Sequence, residues 1–167
     1  MEALAARLLG WLTKAEIAVV VLSFAAMTLL LLADVIGREV FARGIFGASA
    51  VALYFLILAA MLSFDLATGR DAHLRPTVFD ALLPAAWETG LRRVGHVLGA
   101  AIALVVLVAC WRFIAETRFF NETNPTIRVP LWPMQVPLAL GFGLSALRHL
   151  LYAVLPGLAP VRAGVSE

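Results

Sequence analysis

The 167-residue chain is 62% hydrophobic and only 14% charged, with a mean hydropathy of +0.94; soluble domains run at about 25% charged, so an ordinary water-soluble fold is excluded. The net charge is +2, but the arginines stand singly or in one pair at the ends of apolar segments, where snorkelling and the positive-inside rule put them, and no basic run supports nucleic-acid binding. The single cysteine, Cys110, excludes an intrachain disulfide and a thiol relay, and the length suits one domain over 1–167.

Four stretches contain no Asp, Glu, Lys or Arg: 17–33, 44–64, 94–111 and 129–147, of 17, 21, 18 and 19 residues. A hydrocarbon core of roughly 30 Å takes about 20 helical residues, with about 17 as the lower limit. Each stretch is therefore read as a membrane span. With their flanks the predicted spans are about 17–37, 44–65, 93–112 and 129–150, in an all-α integral membrane protein of four transmembrane helices. Before them, Leu4, Leu8, Trp11 and Leu12 recur at helical spacing, with Arg7 and Lys14 elsewhere on the wheel. Residues 1–16 thus form either an amphipathic helix in the headgroup plane or a simple extension of the first span. The first apolar run is longer than a signal-peptide core of about 7–15 residues, and no clear small-x-small site follows it, so it is expected to be retained.

The connection at 37–43 is short and predicts an antiparallel hairpin of the first two spans. The connection at 65–93 is longer and punctuated by Pro76 and Pro84. Between the prolines, Val78, Phe79, Leu82 and Leu83 make a short apolar stripe. Proline suits a first helical turn, so short interfacial helices are expected within about 74–90. The third connection is polar, and Asn121, Glu122, Thr123, Asn124 and Pro125 form a turn cluster. With the N-terminus inside, the inner side carries eight Lys and Arg and the outer side five, which favours N-in and C-in. Trp11 and Trp87 then lie at the inner surface, Trp111 and Trp132 at the outer one. Gly95, Gly99 and Ala103, and likewise Gly141 and Ser145, repeat every four residues and mark faces where helices approach closely. Pro130 and Pro133 suit the first turn of the fourth span; Pro137 removes a backbone bond further in and predicts a kink or an irregular start.

Polar groups suited to carrying chemistry are few. Asp34 and Arg38 share a helical face at spacing i, i+4, which reads as an ion pair fixing the end of the first span or a neighbouring subunit, more than as a substrate contact. Arg70, Asp71, His73, Arg75 and Asp80 form the densest polar cluster, suited to lipid headgroups, a partner protein or plain solvent. His96 and His149 fall near the inner ends of their spans, so a haem held between facing helices is conceivable, as in a membrane-anchor cytochrome b-type subunit of an oxidoreductase; zinc lacks any short ligand spacing. Ser23, Thr28, Ser49, Ser63, Gln135 and Ser145 are scattered, no charge stands at mid-span, and no inverted repeat suggests a midplane transport site. Hydroxyls so placed bond their own or a neighbouring helix. The reading is a subunit of something larger, with no catalytic, cofactor or metal site of its own, against the rival of a self-sufficient channel.

Three segments carry a family resemblance. They are Asp34, Gly37 and Arg38 in LLADVIGREVF; Arg70, His73, Arg75 and Pro84 in RDAHLRPTVFDALLP; and Pro130, Trp132, Pro133, Pro137, Gly141 and Arg148 in RVPLWPMQVPLALGFGLSALRHL. In order, spacing and placement they resemble the small, DctQ-type membrane subunit of tripartite ATP-independent periplasmic (TRAP) transporters, over about residues 10–155. The resemblance implies a bacterial inner-membrane complex driven by an ion gradient. A large elevator-type subunit carries the substrate, commonly an organic acid captured by a soluble periplasmic protein. The small subunit packs beside the large one, contacts membrane lipids and offers a docking surface to the periplasmic protein. On this view Asp34, Gly37, Arg38, Arg70, His73, Arg75, Trp132, Pro133, Gly141 and Arg148 are structural or subunit-interface residues, and Arg43, Arg118, Glu122 and Arg128 are docking candidates.

Overall fold

The four charge-free stretches lie in four helices of a computed structural model that describes residues 2–69 and 88–159, apart from the side chains at 2, 88, 89 and 91. The helices are α1 (Glu2–Phe41), α2 (Ala48–Gly69), α3 (Glu88–Phe119) and α4 (Trp132–Val154), the last followed by a 3₁₀ turn at Pro156–Leu158. All four are long and apolar enough to cross a membrane. Among the described residues there is no strand beyond one isolated bridge between Thr123 and Pro130. Residues 70–87 lie outside the described residues, and with them Arg70, His73, Arg75 and most of the segment expected to be interfacial.

Helix ends differ from the charge-free limits for identifiable reasons. Residues 2–16 continue α1 without a break, so this helix of 40 residues is roughly 60 Å long at 1.5 Å per residue. Leu4, Leu8 and Trp11 on it are exposed. α3 runs to Phe119, two turns past its apolar stretch, where Glu116 and Arg118 are exposed. The fourth stretch enters its helix only at Trp132, because the backbone before it is used in the loop: Asn124 N–H donates to the Val129 carbonyl and Leu131 N–H to the Glu122 carbonyl. Pro133 then occupies the first turn of α4, where a missing N–H costs little, and Pro137 lies inside the helix.

α1 packs against α2, α2 against α4, and α4 against α3. The order in space is therefore a row, α1–α2–α4–α3, in which the last helix of the chain sits inside. What lies between the helices is small: Ala52 and Ala59 on α2, Gly141, Ser145 and Ala146 on α4, Ala100 and Ala103 on α3. Large apolar side chains such as Leu22, Leu29, Ile102, Val105 and Leu140 are exposed instead. That inversion suits lipid, where helices associate through close backbone approach and leucine gains nothing by being internal. Gly141 is the clearest case: a Cβ there would stand 2.8 Å from the Met61 carbonyl oxygen on α2.

Both short connections, 42–47 and 120–131, lie at one end of the row, the loop end. The C-terminal ends of α2 and α4 and the start of α3 lie at the far end.

Candidate functional site

At the loop end Asp34 organises the α1–α2 turn. Its Oδ2 accepts from Arg38 Nη2, and its Oδ1 accepts the backbone N–H of Ile45 at 2.7 Å. Asp34 is buried while the Arg38 side chain is 63% exposed, so the carboxylate serves the fold and the guanidinium remains at the surface. Gly37 allows the chain to double back: its carbonyl accepts from Arg43 N–H at 3.0 Å, and a Cβ on it would lie 2.7 Å from the Arg43 carbonyl.

The 120–131 loop is built on Asn124. Its Oδ1 accepts from Thr126 and Ile127 N–H at 2.9 and 3.2 Å, the side-chain mimic of a backbone turn. Its Nδ2 donates to the Tyr54 hydroxyl of α2 at 2.6 Å. The loop thereby reaches from the α3–α4 pair across to α2, and Ile127 lies against Gly47. Around it Arg43, Arg118, Glu122 and Arg128 are all exposed. Arg118 lies over the Trp132 ring, 5.4 Å from its centroid, and Pro133 beside it is exposed. A groove of about 700 Å³ opens between α3 and α4 below this pair, lined by Leu107, Trp111, Ile114, Val136 and Leu140 among others. Gln135 Nε2 closes α3 to α4 nearby, donating to Thr117 Oγ1 at 3.0 Å.

The far end holds the most strongly polar arrangement. Arg148, on α4, is 2% exposed and is among the largest fully buried side chains. Its Nε donates to Asp65 Oδ2 of α2 at 2.8 Å, its Nη2 to Glu16 Oε2 of α1 at 2.5 Å, and its Nη1 to Thr13 Oγ1 of α1 at 3.2 Å. One guanidinium thus ties three helices. One turn away along α2 and α4, Thr68 and Ser145 hydroxyls bond at 3.1 Å. Between α3 and α4, His96 and His149 approach Nδ1 to Nδ1 at 3.2 Å, and His96 meets the edge of Tyr152. The imidazoles touch, so no gap exists between them for a porphyrin plane, which two axial ligands must flank.

Of the residues singled out by sequence, the fold brings Asp34, Gly37 and Arg38 into one turn, sets Arg118 on Trp132, places Gly141 at the α2–α4 contact and buries Arg148. It does not join the loop-end set to the far-end set. Glu16, Asp65, Thr13, Asn124 and Tyr54 were not singled out as site residues. A signal for two of them was present: Glu16, Asp65 and Arg148 are each the first charge at the same side of an apolar stretch.

Compared with known families, residues 27–157 match the one described as tripartite ATP-independent periplasmic transporters, DctQ component. No curated protein was found to match the chain.

Proposed function

The chain belongs to the DctQ family, the small permease component of TRAP transporters, and from that premise we propose that it is the fixed scaffold beside a large elevator-type subunit. That complex would drive uptake of an organic acid, delivered by a periplasmic binding protein, with an ion gradient across the bacterial inner membrane. The observation that carries the reading is the division of labour between surfaces. Polar side chains buried in the row bond one another from helix to helix, as Arg148 does with Glu16 and Asp65, Thr68 with Ser145, and Gln135 with Thr117. Large apolar residues on all four helices face outward. Such a body is built to be held in lipid and against another apolar surface.

The termini are assigned to the cytoplasmic side by the arginine bias. That orientation turns the loop end, with Arg43, Arg118, Glu122 and Arg128, toward the periplasm as the docking face for the binding protein. The far end, with Arg70, His73 and Arg75 in the following segment, meets the inner headgroups.

Affinity purification of the tagged chain from its own membrane in mild detergent tests the reading. Recovery of a larger polytopic protein in fixed ratio is expected, with substrate uptake lost when either is absent. Solute flux through liposomes containing this chain alone would overturn the scaffold role.

A further inference from the structure

The groove between α3 and α4 has its head at the loop end, where Arg118 lies over Trp132, and Leu107 at its deep end on α3. Trp111 lines it in between, and the small side chains of Ala115 and Ala139 leave the room. From Leu107 to Arg118 the α3 side extends about 17 Å at 1.5 Å per residue. Half of a hydrocarbon core of roughly 30 Å is about 15 Å, so the groove is as long as one leaflet is deep. Its head falls where the fourth charge-free stretch, 129–147, begins, the level at which tryptophan gathers in membrane proteins.

The guanidinium at the head has an aromatic ring beneath it and no acid beside it. A guanidinium held against a ring keeps the N–H groups of its edges for another partner. Among the described residues no carboxylate pairs with Arg118. Glu116, two positions earlier, is turned about 160° away around the helix at 3.6 residues per turn and does not line the groove. Apart from Arg118 the lining carries no charge. A molecule with an anion at one end and hydrocarbon behind it complements this arrangement. The volume of about 700 Å³, spread over that length, gives a cross-section of about 40 Å², whereas an α-helix about 10–12 Å across takes about 80 Å² or more. Flexible hydrocarbon tails enter such a groove, and a partner's membrane helix does not.

We propose that the α3–α4 groove is a phospholipid-binding site, with the acyl tails along Trp111, Ala115 and Ala139 and the phosphate at Arg118. The phosphate oxygens accept from the guanidinium edge that Trp132 leaves free, the charge-assisted geometry for which arginine is suited. Recognition requires both ends of the molecule, a phosphate and the hydrocarbon joined to it. The bound lipid lies in the leaflet at the loop end and fills the seam between the last two helices of the row. The inference stands apart from the scaffold role, since it concerns the isolated chain, and it narrows the proposed docking face to Arg43, Glu122 and Arg128.

Tryptophan quenching by phosphatidylglycerol with brominated tails tests it on the purified full chain in detergent. Trp11→Phe and Trp87→Phe leave Trp111 and Trp132 as the only reporters. Quenching is expected to saturate and to be reversed by unbrominated phosphatidylglycerol, but not by diacylglycerol or glycerol phosphate. Arg118→Gln is expected to weaken the affinity at least tenfold. Ala139→Phe, which fills the groove, removes saturable quenching with Arg118 in place. Should Ala139→Phe fail to fold, Arg118→Gln and the competitors decide. Quenching that never saturates, or an affinity unchanged in Arg118→Gln, overturns the proposal. So does equal competition by diacylglycerol, which shows that the phosphate is not read, or by glycerol phosphate, which marks a plain phosphate site. Loss of saturable quenching in the purified complex with the large subunit also overturns it, and gives the groove to that subunit.

Discussion

Asp65 and Arg148, 83 positions apart in the chain, meet at 2.8 Å with 0% and 2% of their side chains exposed. Removing one member of a buried ion pair leaves the other charge uncompensated and typically costs about 3–5 kcal/mol. Arg148→Met is expected to destabilise the chain by about that amount, since it strands two acids, and to lower the yield of monodisperse protein. Arg148→Lys recovers only part of the loss, because an ammonium cannot present the fork that reaches both acids. Thermal unfolding in detergent ranks the three proteins.

Gly141→Ala is expected to separate α2 from α4. Its Cβ would meet the Met61 carbonyl at 2.8 Å, a backbone atom that cannot rotate away. Overpacking of this kind costs about 1–3 kcal/mol. Gly143→Ala is the matched control, as its nearest neighbours are Leu107 methyl carbons at 3.8 and 3.9 Å. Equal melting temperatures for the two variants would contradict the assigned contact.

Asp34 has two jobs that substitution can separate. Asp34→Asn keeps an acceptor for Ile45 N–H but loses the charge opposite Arg38; Asp34→Ala loses both. A buried donor left unsatisfied costs about 1–3 kcal/mol, so Ala should melt below Asn, and Asn below the wild type by less. Co-purification with the large subunit gives a second axis. If Arg38 acts at the subunit interface, Arg38→Ala lowers recovery of the partner by more than its effect on the melting temperature accounts for, since its guanidinium is 63% exposed and Asp34 keeps its bond from Ile45 N–H.

Asn124→Ala should loosen the 120–131 loop more than the helices. The substitution removes the acceptor for two loop amides and the link to Tyr54. Hydrogen exchange at Thr126 and Ile127 is expected to rise at least tenfold, the equivalent of about 1.4 kcal/mol. Tyr54→Phe breaks the link alone and should leave those two amides protected.

The four spans were legible because a run of about 20 residues without charge has one stable conformation in a bilayer. Their ends were less so. Nothing in the composition of 112–119 says that α3 continues past its apolar stretch, and the late start of α4 depends on bonds between Glu122 and Leu131 that form only once the loop closes. Asp34 and Arg38 were readable as a pair because i, i+4 contacts are local. Glu16, Asp65 and Arg148 were not, since their meeting depends on which helices are neighbours, and hydropathy does not encode that order. His96 and His149 sit at matched depth on facing helices, as the haem reading requires, but the small Gly99 lets the His149 ring settle against α3, and the two rings touch directly.

The row α1–α2–α4–α3 also sets a schedule for biogenesis. The α1–α2 hairpin leaves the ribosome first, and the flank of α2 that carries Asp65 and Thr68 has no helix beside it until α4, the last to be synthesised, slides in with Arg148 and Ser145. Throughout that interval Asp65 lacks the Arg148 guanidinium that it meets in the finished fold. Truncations that stop short of α4 are therefore expected to be recognised and degraded as orphan hairpins.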